Sequence, residues 1–466
     1  MNDERLIYLG GSSVSKKDGP GLSATALVIG DDVILVDCGL EILNNKGCAF
    51  PDISLLGGKK IKRLVLTHSH LDHIGGVGYI SEKNAFASDA KIIASPQTHE
   101  IMPIVLNDTW SQSAQCSDYH SSVNIPCEMS EDIPLGEFEI LPGVQAFAGA
   151  AGHIPGALYL IIKTPLGKKI LFCGDQSWHE QGTVGGSKIP DDIPDEWLPD
   201  IIAVTDLTNP DLNKLDYGLS MSRLAKVVKT MLAMKKKVVV ASFANGRSQN
   251  IALGLRDAGI SRVYLDGSGV KLMRIFRKHR WSPLDKEFRL DGIEFIEGNA
   301  NRRELTESDE PFVVATPAGF GEGGPVRHYL EAGLERKDFF FISSSWLLPG
   351  CTMDKLFGKI EQKRKTGKPV HMRLEEEQGE KETYYEIKCS GWRAHLSAHG
   401  CLGETRGMIQ KIVARRGKKL ELIVLTHGNE KSKASALKFF SDFSESNIVG
   451  QVGSSVSIPH STGNAV

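Results

Sequence analysis

The stretch "LTHSHLDHIGG", Leu66 to Gly76, places three histidines and one aspartate within six residues. It directly follows the apolar segment "KRLVL", which is typical of a buried β-strand. If the chain stays extended, His68 and His70 project to the same side and can share one metal ion. The chain then turns, so that Asp72 and His73 can face a second metal ion. Imidazole and carboxylate groups suit zinc or a similar divalent ion, so this loop predicts a metal site.

The composition is that of a folded protein with balanced charge. Apolar residues make up 41% of the 466 residues and charged residues 24%, and the formal net charge is -2. The length predicts two or three domains, and the charge gives no global attraction to nucleic acid or anionic membranes. No apolar run approaches the roughly 18 residues that span a bilayer, and the N-terminus lacks a signal-peptide pattern. The eight cysteines include no CxxC pair, which argues against a cysteine zinc site and a disulfide scaffold and favours a cytoplasmic location.

The pattern of elements changes about halfway along the chain. Up to about residue 205, short apolar runs separated by turns predict β-strands, as in "ALVIGDDVILVDCG". From about Asp206, apolar strands such as "VVVASF" alternate with helical segments such as "SRLAKVVKTMLAMKKK". Such alternation is typical of βαβ units and predicts a parallel sheet. A strand-and-helix section and a Ser/Gly-rich tail follow.

The motif "HSHLDH" resembles the HxHxDH signature of the metallo-β-lactamase superfamily. This resemblance implies an αββα sandwich with a one- or two-metal site at the edge of its sheets. It also implies further ligands at later strand ends: "AGHIPGA" offers His153, and "LFCGDQS" offers Asp175 as a carboxylate between the metals. Upstream, "VILVDCG" supplies Asp37, which in the family supports the metal ligands from behind.

The alternating section resembles the inserted domain of the β-CASP group, a nucleic-acid-processing branch that includes ribonuclease J and the cleavage-and-polyadenylation endonuclease. "AVTDLT" resembles motif A at Asp206, "LSAHG" resembles motif B at His399, and "VLTHGNE" resembles motif C at His427. The stretches "VVVASFANGRSQN" and "TPAGFGEGGPVRHYL" also resemble that group. The chain departs from it after Asp206, which makes Asp211 a weaker candidate for motif A, and at Cys401, where an acidic residue is usual.

These features predict an α/β protein: a metallo-β-lactamase αββα sandwich with an inserted β-CASP domain that contains a mainly parallel sheet flanked by helices. We expect the first part of the sandwich domain at residues 1–205 and the inserted domain at 206–388. The second part of the sandwich domain is expected at 389–447, followed by a flexible tail at 448–466.

The resemblance implies two metal sites that share a carboxylate. One site takes His68, His70 and His153, the other takes Asp72, His73 and His427, and Asp175 lies between them. Two divalent cations about 3.5–4 Å apart, zinc with manganese as the alternative, would support hydroxide attack on a phosphodiester.

We expect His399 to give the proton that the leaving nucleotide oxygen needs, oriented by Asp206. The residues assigned to catalysis are therefore Asp72, Asp175, Asp206 and His399. His395, four residues before His399, is expected to pack or to support, although a shifted alignment would exchange the two histidines.

Substrate contacts are expected at the cleft between the domains. Backbone amides after "ANGRS" and in the turn "GEGGP", with Gly323 and Gly324, are typical of phosphate cradles, and Arg247 is a candidate charge partner. Helix capping is the competing role for Arg247. Trp110, Trp178 and Trp346 can stack on bases, but packing is the more common fate of a tryptophan.

The predicted function is metal-dependent cleavage of RNA, endonucleolytic, exonucleolytic or both. One alternative is a DNA nuclease of the same fold. Another is a catalytically silent RNA-binding or scaffold subunit, which the complete ligand set disfavours, as the inserted section disfavours a small-substrate hydrolase. RNA is the favoured partner, no membrane partner is expected, and the sequence does not indicate the oligomeric state.

Overall fold

The computed structural model describes residues 4–11, 21–43, 47–112, 127–210, 213, 216–344, 346–374 and 383–458. Asp211, the weaker candidate for motif A, lies outside these residues, as does the side chain of Trp110.

The strands and helices of the described residues follow the predicted change of pattern. The strands are β1 Glu4–Tyr8, β2 Thr25–Ile29, β3 Asp32–Val36, β4 Glu41–Leu43, β5 Gly47–Ala49, β6 Ile61–Val65, β7 Phe86–Ala94, β8 Ser130–Asp132, β9 Gly136–Leu141, β10 Val144–Ala150, β11 Leu158–Lys163, β12 Lys169–Phe172, β13 Ile201–Val204, β14 Lys237–Ala241, β15 Val263–Asp266, β16 Ile293–Ile296, β17 Val313–Thr316, β18 Phe339–Ser343, β19 His371–Leu374, β20 Thr383–Glu386, β21 Ser390–Arg393, β22 Leu420–Leu425, β23 Ser444–Val449 and β24 Ser455–Ser457. The helices are α1 Leu71–Ile74, α2 Val77–Glu82, α3 Pro96–Gln112, α4 Tyr217–Ala233, α5 Arg247–Asp257, α6 Ser268–Lys278, α7 Asn299–Glu307, α8 Gly324–Gly333, α9 Thr352–Thr366, α10 Leu402–Arg416 and α11 Glu430–Phe439.

Two seven-stranded sheets pack face to face, in the orders β24-β1-β2-β3-β6-β7-β8 and β23-β22-β13-β12-β11-β10-β9. Successive side chains of a strand point to opposite faces, so both faces of an apolar strand can be buried. In β3, Ile34 and Val36 face the core between the sheets, whereas Val33 and Leu35 pack beneath α1, α2 and α3. Helices α10 and α11 cover the second sheet. These four layers confirm the predicted αββα sandwich.

The inserted domain contains a six-stranded sheet in the order β16-β15-β17-β14-β18-β21, and its neighbouring strands are parallel. Its central strand β14 is buried on both faces. Val238 and Val240 pack with residues of α4, α5 and α6, and Val239 and Ala241 pack with residues of α8 and α9. The predicted parallel sheet flanked by helices is therefore confirmed.

Two of the predicted domain boundaries need correction. Residues 389–447 were expected to return to the sandwich, but β21 pairs in parallel with β18 and so completes the sheet of the inserted domain. The chain returns only after Arg393. The tail expected to be flexible from residue 448 contains β24, which pairs with β1, and Ile458 is buried in the core between the sandwich sheets. Pairing and burial hold this part of the tail in place.

The inserted domain rests on the sandwich through buried polar contacts. The Gln97 side chain donates a hydrogen bond to Asp285 at 2.9 Å. The backbone amide of Thr183 donates to the Asn250 side chain at 2.9 Å, and Asn250 in turn donates to Gln181 at 2.9 Å. Buried hydrogen bonds of this kind fix the orientation of the two domains, because leaving any one group unpaired is costly.

Two smaller features bear on the environment of the protein. Every helix among the described residues is too short or too polar to cross a membrane. Cys38, Cys173, Cys351, Cys389 and Cys401 are free and buried. Cys48, in contrast, is disulfide-bonded, although the sequence argues against a disulfide scaffold.

Candidate metal centre

The candidate ligands meet at one rim of the sandwich because each follows the end of a strand. His68 and His70 come after β6 of the first sheet, and Asp72 and His73 lie in the short helix α1 that follows. His153, Asp175 and His427 come after β10, β12 and β22 of the second sheet. These three strands run in the same direction, so their carboxyl ends share one edge of that sheet. Residues from 68 to 427 are thereby brought together.

The first cluster consists of His68, His70, His153 and Asp175, whose potential ligand atoms all lie within 4.8 Å of one another. The His70 Nδ1 atom is 3.0 Å from His68 Nε2 and 3.1 Å from His153 Nε2. The Asp175 Oδ2 atom is 3.6 Å from His68 Nε2 and 3.7 Å from His153 Nε2. Three ring nitrogens and one carboxylate oxygen therefore converge on one point.

The second cluster consists of Asp72, His73 and His427. The other oxygen of Asp175, Oδ1, faces this group, at 3.4 Å from His73 Nε2 and 3.2 Å from His427 Nε2. The Oδ2 atom of Asp72 is 3.6 Å from His427 Nε2. Asp175 thus presents one oxygen to each cluster, and the structure groups the seven side chains in the way that the sequence predicts.

The chemistry of these atoms fits divalent metal ions. The Asp175 Oδ1, His73 Nε2 and His427 Nε2 atoms are buried and have no hydrogen-bond partner within the described part of the chain. Buried polar atoms without partners are costly, and a cation between them would satisfy all of them at once. Imidazole nitrogens with carboxylate oxygens are ligands that zinc and similar metals accept.

Hydrogen bonds behind the clusters orient the ligands. The Asp37 Oδ2 atom lies 2.7 Å from His73 Nδ1, and Asp37 also accepts hydrogen bonds from the Thr67 amide at 2.8 Å and the Thr67 hydroxyl at 2.9 Å. The His153 Nδ1 atom is 3.0 Å from the carbonyl oxygen of Ala398. Partners of this kind fix the ring orientation of a metal ligand. Asp37 was predicted in this position, whereas the Thr67 contact was not recognised.

Burial sets the ionisation of several ligands. It lowers the pKa of His68 and of His153 well below the ordinary value, because a charged imidazolium would lose its hydration. Burial by itself raises the pKa of Asp175, but His427, His73 and His399 more than reverse this effect and hold that pKa well below its usual range. Neutral imidazoles and an ionised carboxylate are the forms that bind metals.

His399 and Asp206 form a third group beside the clusters, together with Asp175. The His399 Nδ1 atom lies 3.1 Å from Asp206 Oδ2, and Asp206 also accepts hydrogen bonds from the amides of Gln176 at 3.1 Å and Thr208 at 3.0 Å. Burial lowers the pKa of His399, but Asp206 and Asp175 outweigh it and raise this pKa to about 9. His395 is exposed, so the structure brings only one of the two histidines to the centre.

Asn245 links the inserted domain to the first cluster. Its side-chain amide nitrogen donates hydrogen bonds to the Ser69 backbone carbonyl at 3.1 Å and to the Ser69 hydroxyl at 2.9 Å. The backbone carbonyl oxygen of Asn245 is 3.2 Å from His70 Nε2. Sequence reasoning placed this loop near phosphate but did not single out Asn245. Its partners lie about 175 residues away, so no local pattern could have identified it.

The predicted substrate residues lie at the carboxyl edge of the inserted sheet. Arg247 begins α5, two residues after Asn245, and Gly323 and Gly324 begin α8. Arg247 is only 8% exposed, and its Nη1 atom has no hydrogen-bond partner among the described residues. The hydroxyl of Tyr217, which is also 8% exposed, has none either. Burial lowers the pKa of Arg247, and the neighbouring Tyr217 side chain opposes this shift.

The tryptophans have different environments. Trp178 packs against the core of the second sandwich sheet and closely against Gly400. Trp346 is half exposed, at 50%. Trp178 therefore has a packing role, as expected. Packing does not account for the exposed position of Trp346.

Comparison with known proteins agrees with this geometry. Residues 18–240 match the family described as "Metallo-beta-lactamase superfamily". The chain is 24% identical to "Ribonuclease TTHA0252" of Thermus thermophilus over 334 residues, 67% of this chain and 73% of that protein. It is 25% identical to the "RNase J-like protein" of Methanocaldococcus jannaschii over 327 residues, 67% of this chain and 72% of that protein.

A crystal structure of a protein of unknown function from Enterococcus faecalis V583 has the same fold. It aligns with 98% of this chain and 100% of its own, with a TM-score of 0.57 and 12% sequence identity. Residues 18–240 thus resemble the metallo-β-lactamase superfamily, and the names of the relatives are consistent with the β-CASP nuclease group of that superfamily.

Proposed function

We propose that this protein is a metal-dependent ribonuclease, a phosphodiesterase that cleaves RNA. The observation that carries the proposal is Asp175, whose two oxygens each face one cluster of candidate ligands, at 3.2–3.7 Å from the nearest imidazole nitrogens. A carboxylate shared between two cations is the arrangement that phosphodiester hydrolysis uses. Two relatives of the chain carry the names of ribonucleases, which supports the same proposal.

Each candidate ligand has a defined part in this proposal. His68, His70 and His153 would hold one cation, Asp72, His73 and His427 would hold the other, and Asp175 would contribute to both sites. When bound, the cations supply positive charge that neutralises phosphate oxygens and acidifies water. Zinc fits this set of nitrogen and oxygen donors, and manganese is the alternative.

His399 supplies the proton that leaves with the product. The bond between phosphorus and the leaving nucleotide oxygen breaks, and that oxygen needs a proton to depart as a hydroxyl. Asp206 lies against the Nδ1 atom of His399 at 3.1 Å and so directs the opposite nitrogen of the ring away from itself. The negative charge of Asp206 also keeps His399 protonated until the transfer.

The cleft between the domains holds the RNA backbone. Arg247 supports this role because a buried guanidinium without a hydrogen-bond partner at Nη1 is costly in the free protein. A phosphate would supply both the charge and the acceptors that Arg247 and the Tyr217 hydroxyl lack. The first turn of α5 adds backbone N–H groups, which also attract a negatively charged phosphate. Gly323 and Gly324 supply a second set at the start of α8.

End-labelled oligonucleotides test the proposal. Purified protein with zinc or manganese is incubated with single-stranded RNA and with DNA of the same sequence, each carrying either a hydroxyl or a monophosphate at the 5′ end. RNA cleavage is expected, and His70→Ala and Asp175→Ala should abolish it. His395→Ala is the matched control, because this histidine is exposed and should leave cleavage unchanged.

The same gels separate the competing functions. Cleavage of DNA but not RNA would favour the DNA nuclease. Binding of RNA without cleavage by the wild-type protein would favour the silent scaffold. Cleavage that persists in both Asp175→Ala and His70→Ala would contradict the proposed site.

A further inference from the structure

Three aromatic side chains lie together at the carboxyl edge of the inserted sheet, and we call them the aromatic shelf: Phe243, Phe320 and Trp346. They follow β14, β17 and β18, three neighbouring strands of that sheet. The ring centroids of Phe243 and Phe320 are 5.2 Å apart, and those of Phe320 and Trp346 are 6.2 Å apart. Both pairs meet edge to face, with interplanar angles of 87° and 80°.

The shelf is open to solvent although its members are apolar. Phe243 is 40% exposed and Trp346 is 50% exposed. Single exposed apolar residues are common on protein surfaces, but aromatic rings that adjoin one another at the surface are typical of a binding surface. The half-buried Phe320 packs against the core on one face of the sheet, whereas Phe243 and Trp346 belong to neither of the two core clusters of this domain.

The backbone at two of the three shelf positions is anchored by hydrogen bonds. The carbonyl oxygen of Phe243 accepts hydrogen bonds from the amide of Ser248 at 3.1 Å and from its hydroxyl at 2.7 Å. The carbonyl oxygen of Phe320 accepts a hydrogen bond from the amide of Met353 at 2.9 Å. The backbone that carries these two rings is therefore held in place before a ligand arrives, which reduces the entropy lost on binding.

The shelf is continuous with the candidate metal centre. Asn245, which touches Ser69 and His70, is only two residues after Phe243. Two residues of chain span at most about 7 Å. The loop that carries Phe243 therefore also contacts a residue of the first ligand cluster.

We propose that the aromatic shelf stacks on unpaired bases of the RNA strand next to the phosphate that is cleaved. This inference rests on the proposed ribonuclease function and adds the selection of single-stranded RNA to it. Every base has a flat π-face, so rings that stack favour unpaired bases of any sequence. Bases within a duplex are already stacked on each other and present only their edges.

Binding measurements in the Asp175→Ala background test the shelf without cleavage. The probes are a single-stranded RNA 12-mer, the same 12-mer in a duplex, and an abasic ribose-phosphate 12-mer. Trp346→Ala and Phe320→Leu should each weaken binding of the single-stranded RNA by about tenfold. Neither should change binding of the abasic strand, because that strand has nothing to stack.

Two further variants separate stacking from structural damage. Trp346→Phe keeps an aromatic ring and should restore most of the affinity that Trp346→Ala loses. Tyr384→Ala removes another exposed aromatic ring, 62% exposed and carried by β20 outside the six-stranded sheet, and should leave binding unchanged. Equal losses for base-bearing and abasic strands, or no loss for either shelf variant, would overturn the proposal.

Different results would contradict the shelf proposal and the ribonuclease proposal. If the wild-type protein does not cleave RNA but base-dependent binding is lost in the shelf variants, the shelf stands and the ribonuclease proposal falls. If the wild-type protein cleaves RNA while the shelf variants bind base-bearing RNA normally, the ribonuclease proposal stands and the shelf falls.

Discussion

Asp206 separates the role of His399 from that of the metal ligands. The Nδ1 atom of His399 is directed to Asp206 at 3.1 Å but lies farther, at 3.7 Å, from Asp175. The two ligand clusters contain seven candidate ligands without His399. We therefore propose proton transfer, and not metal binding, as the role of His399.

Substitution of His399 tests this assignment. We expect His399→Ala to lower turnover by about 10²–10⁴-fold, the usual contribution of a positioned acid. The metal content per chain should stay the same, because the two ligand clusters remain complete. His395→Ala is the control and should change neither quantity. Loss of metal from His399→Ala, measured by elemental analysis, would make this histidine a ligand instead.

Substitution of Arg247 should have two effects, on stability and on RNA binding, that substitution of a purely structural arginine would not combine. Because its buried guanidinium lacks a partner at Nη1, Arg247→Met should raise the free energy of unfolding, by about 1–3 kcal/mol. The same change should weaken RNA binding and reduce the slope of its salt dependence by about one. Denaturant unfolding and RNA titrations at several salt concentrations measure the two effects.

Arg302 provides the matched control for this experiment. It is also buried, but its guanidinium donates to both oxygens of Asp266, at 3.0 Å and 3.1 Å from Nε. Arg302→Met should therefore destabilise the protein by about 3–5 kcal/mol, because it removes the cationic partner of a buried carboxylate. If Arg247→Met destabilised the protein to a similar extent, Arg247 would be a structural residue.

At the scale of elements, the sequence predicts what is local. The apolar alternation in β3 and the histidines that follow β6 can be recognised from neighbouring residues alone. The strand β21 was assigned to the wrong domain because "SGWR" is half polar and its partner, β18, lies about 50 residues earlier. The pairing of β24 with β1 joins the two ends of the described chain, and no local pattern indicates it.

The pairing of β24 has a measurable consequence. Ile458, directly after β24, is 4% exposed and packs in the core between the sandwich sheets. We expect Ile458→Ala to reduce the free energy of unfolding by about 2–4 kcal/mol, the cost of a cavity in a packed core. Val452→Ala, at a position 41% exposed, should cost less than about 0.5 kcal/mol. Equal effects in denaturant unfolding would mean that the end of the chain is not packed in solution.

At the scale of the whole molecule, the candidate centre depends on contacts between distant parts of the chain. The ligand residues could be predicted because each belongs to a short motif at a strand end. The partner of His70 in the inserted domain, Asn245, could not be predicted, nor could the Nη1 atom of Arg247 that has no hydrogen-bond partner among the described residues. Both facts depend on how the two domains meet, which is set by side chains far apart in sequence.

The metal clusters should couple metal binding to the stability of the whole protein. Without a cation, the buried atoms Asp175 Oδ1, His73 Nε2 and His427 Nε2 have no hydrogen-bond partner, so the folded state carries their cost. At zinc concentrations about 100 times the dissociation constant, binding to the folded state alone should add about 2.7 kcal/mol of stability. Thermal unfolding with zinc and with a chelator measures this difference. Asp175→Ala removes the shared carboxylate and should lose most of the zinc-dependent increase, whereas His395→Ala should retain it. A wild-type protein that unfolds at the same temperature with and without metal would show that these residues do not form a metal centre.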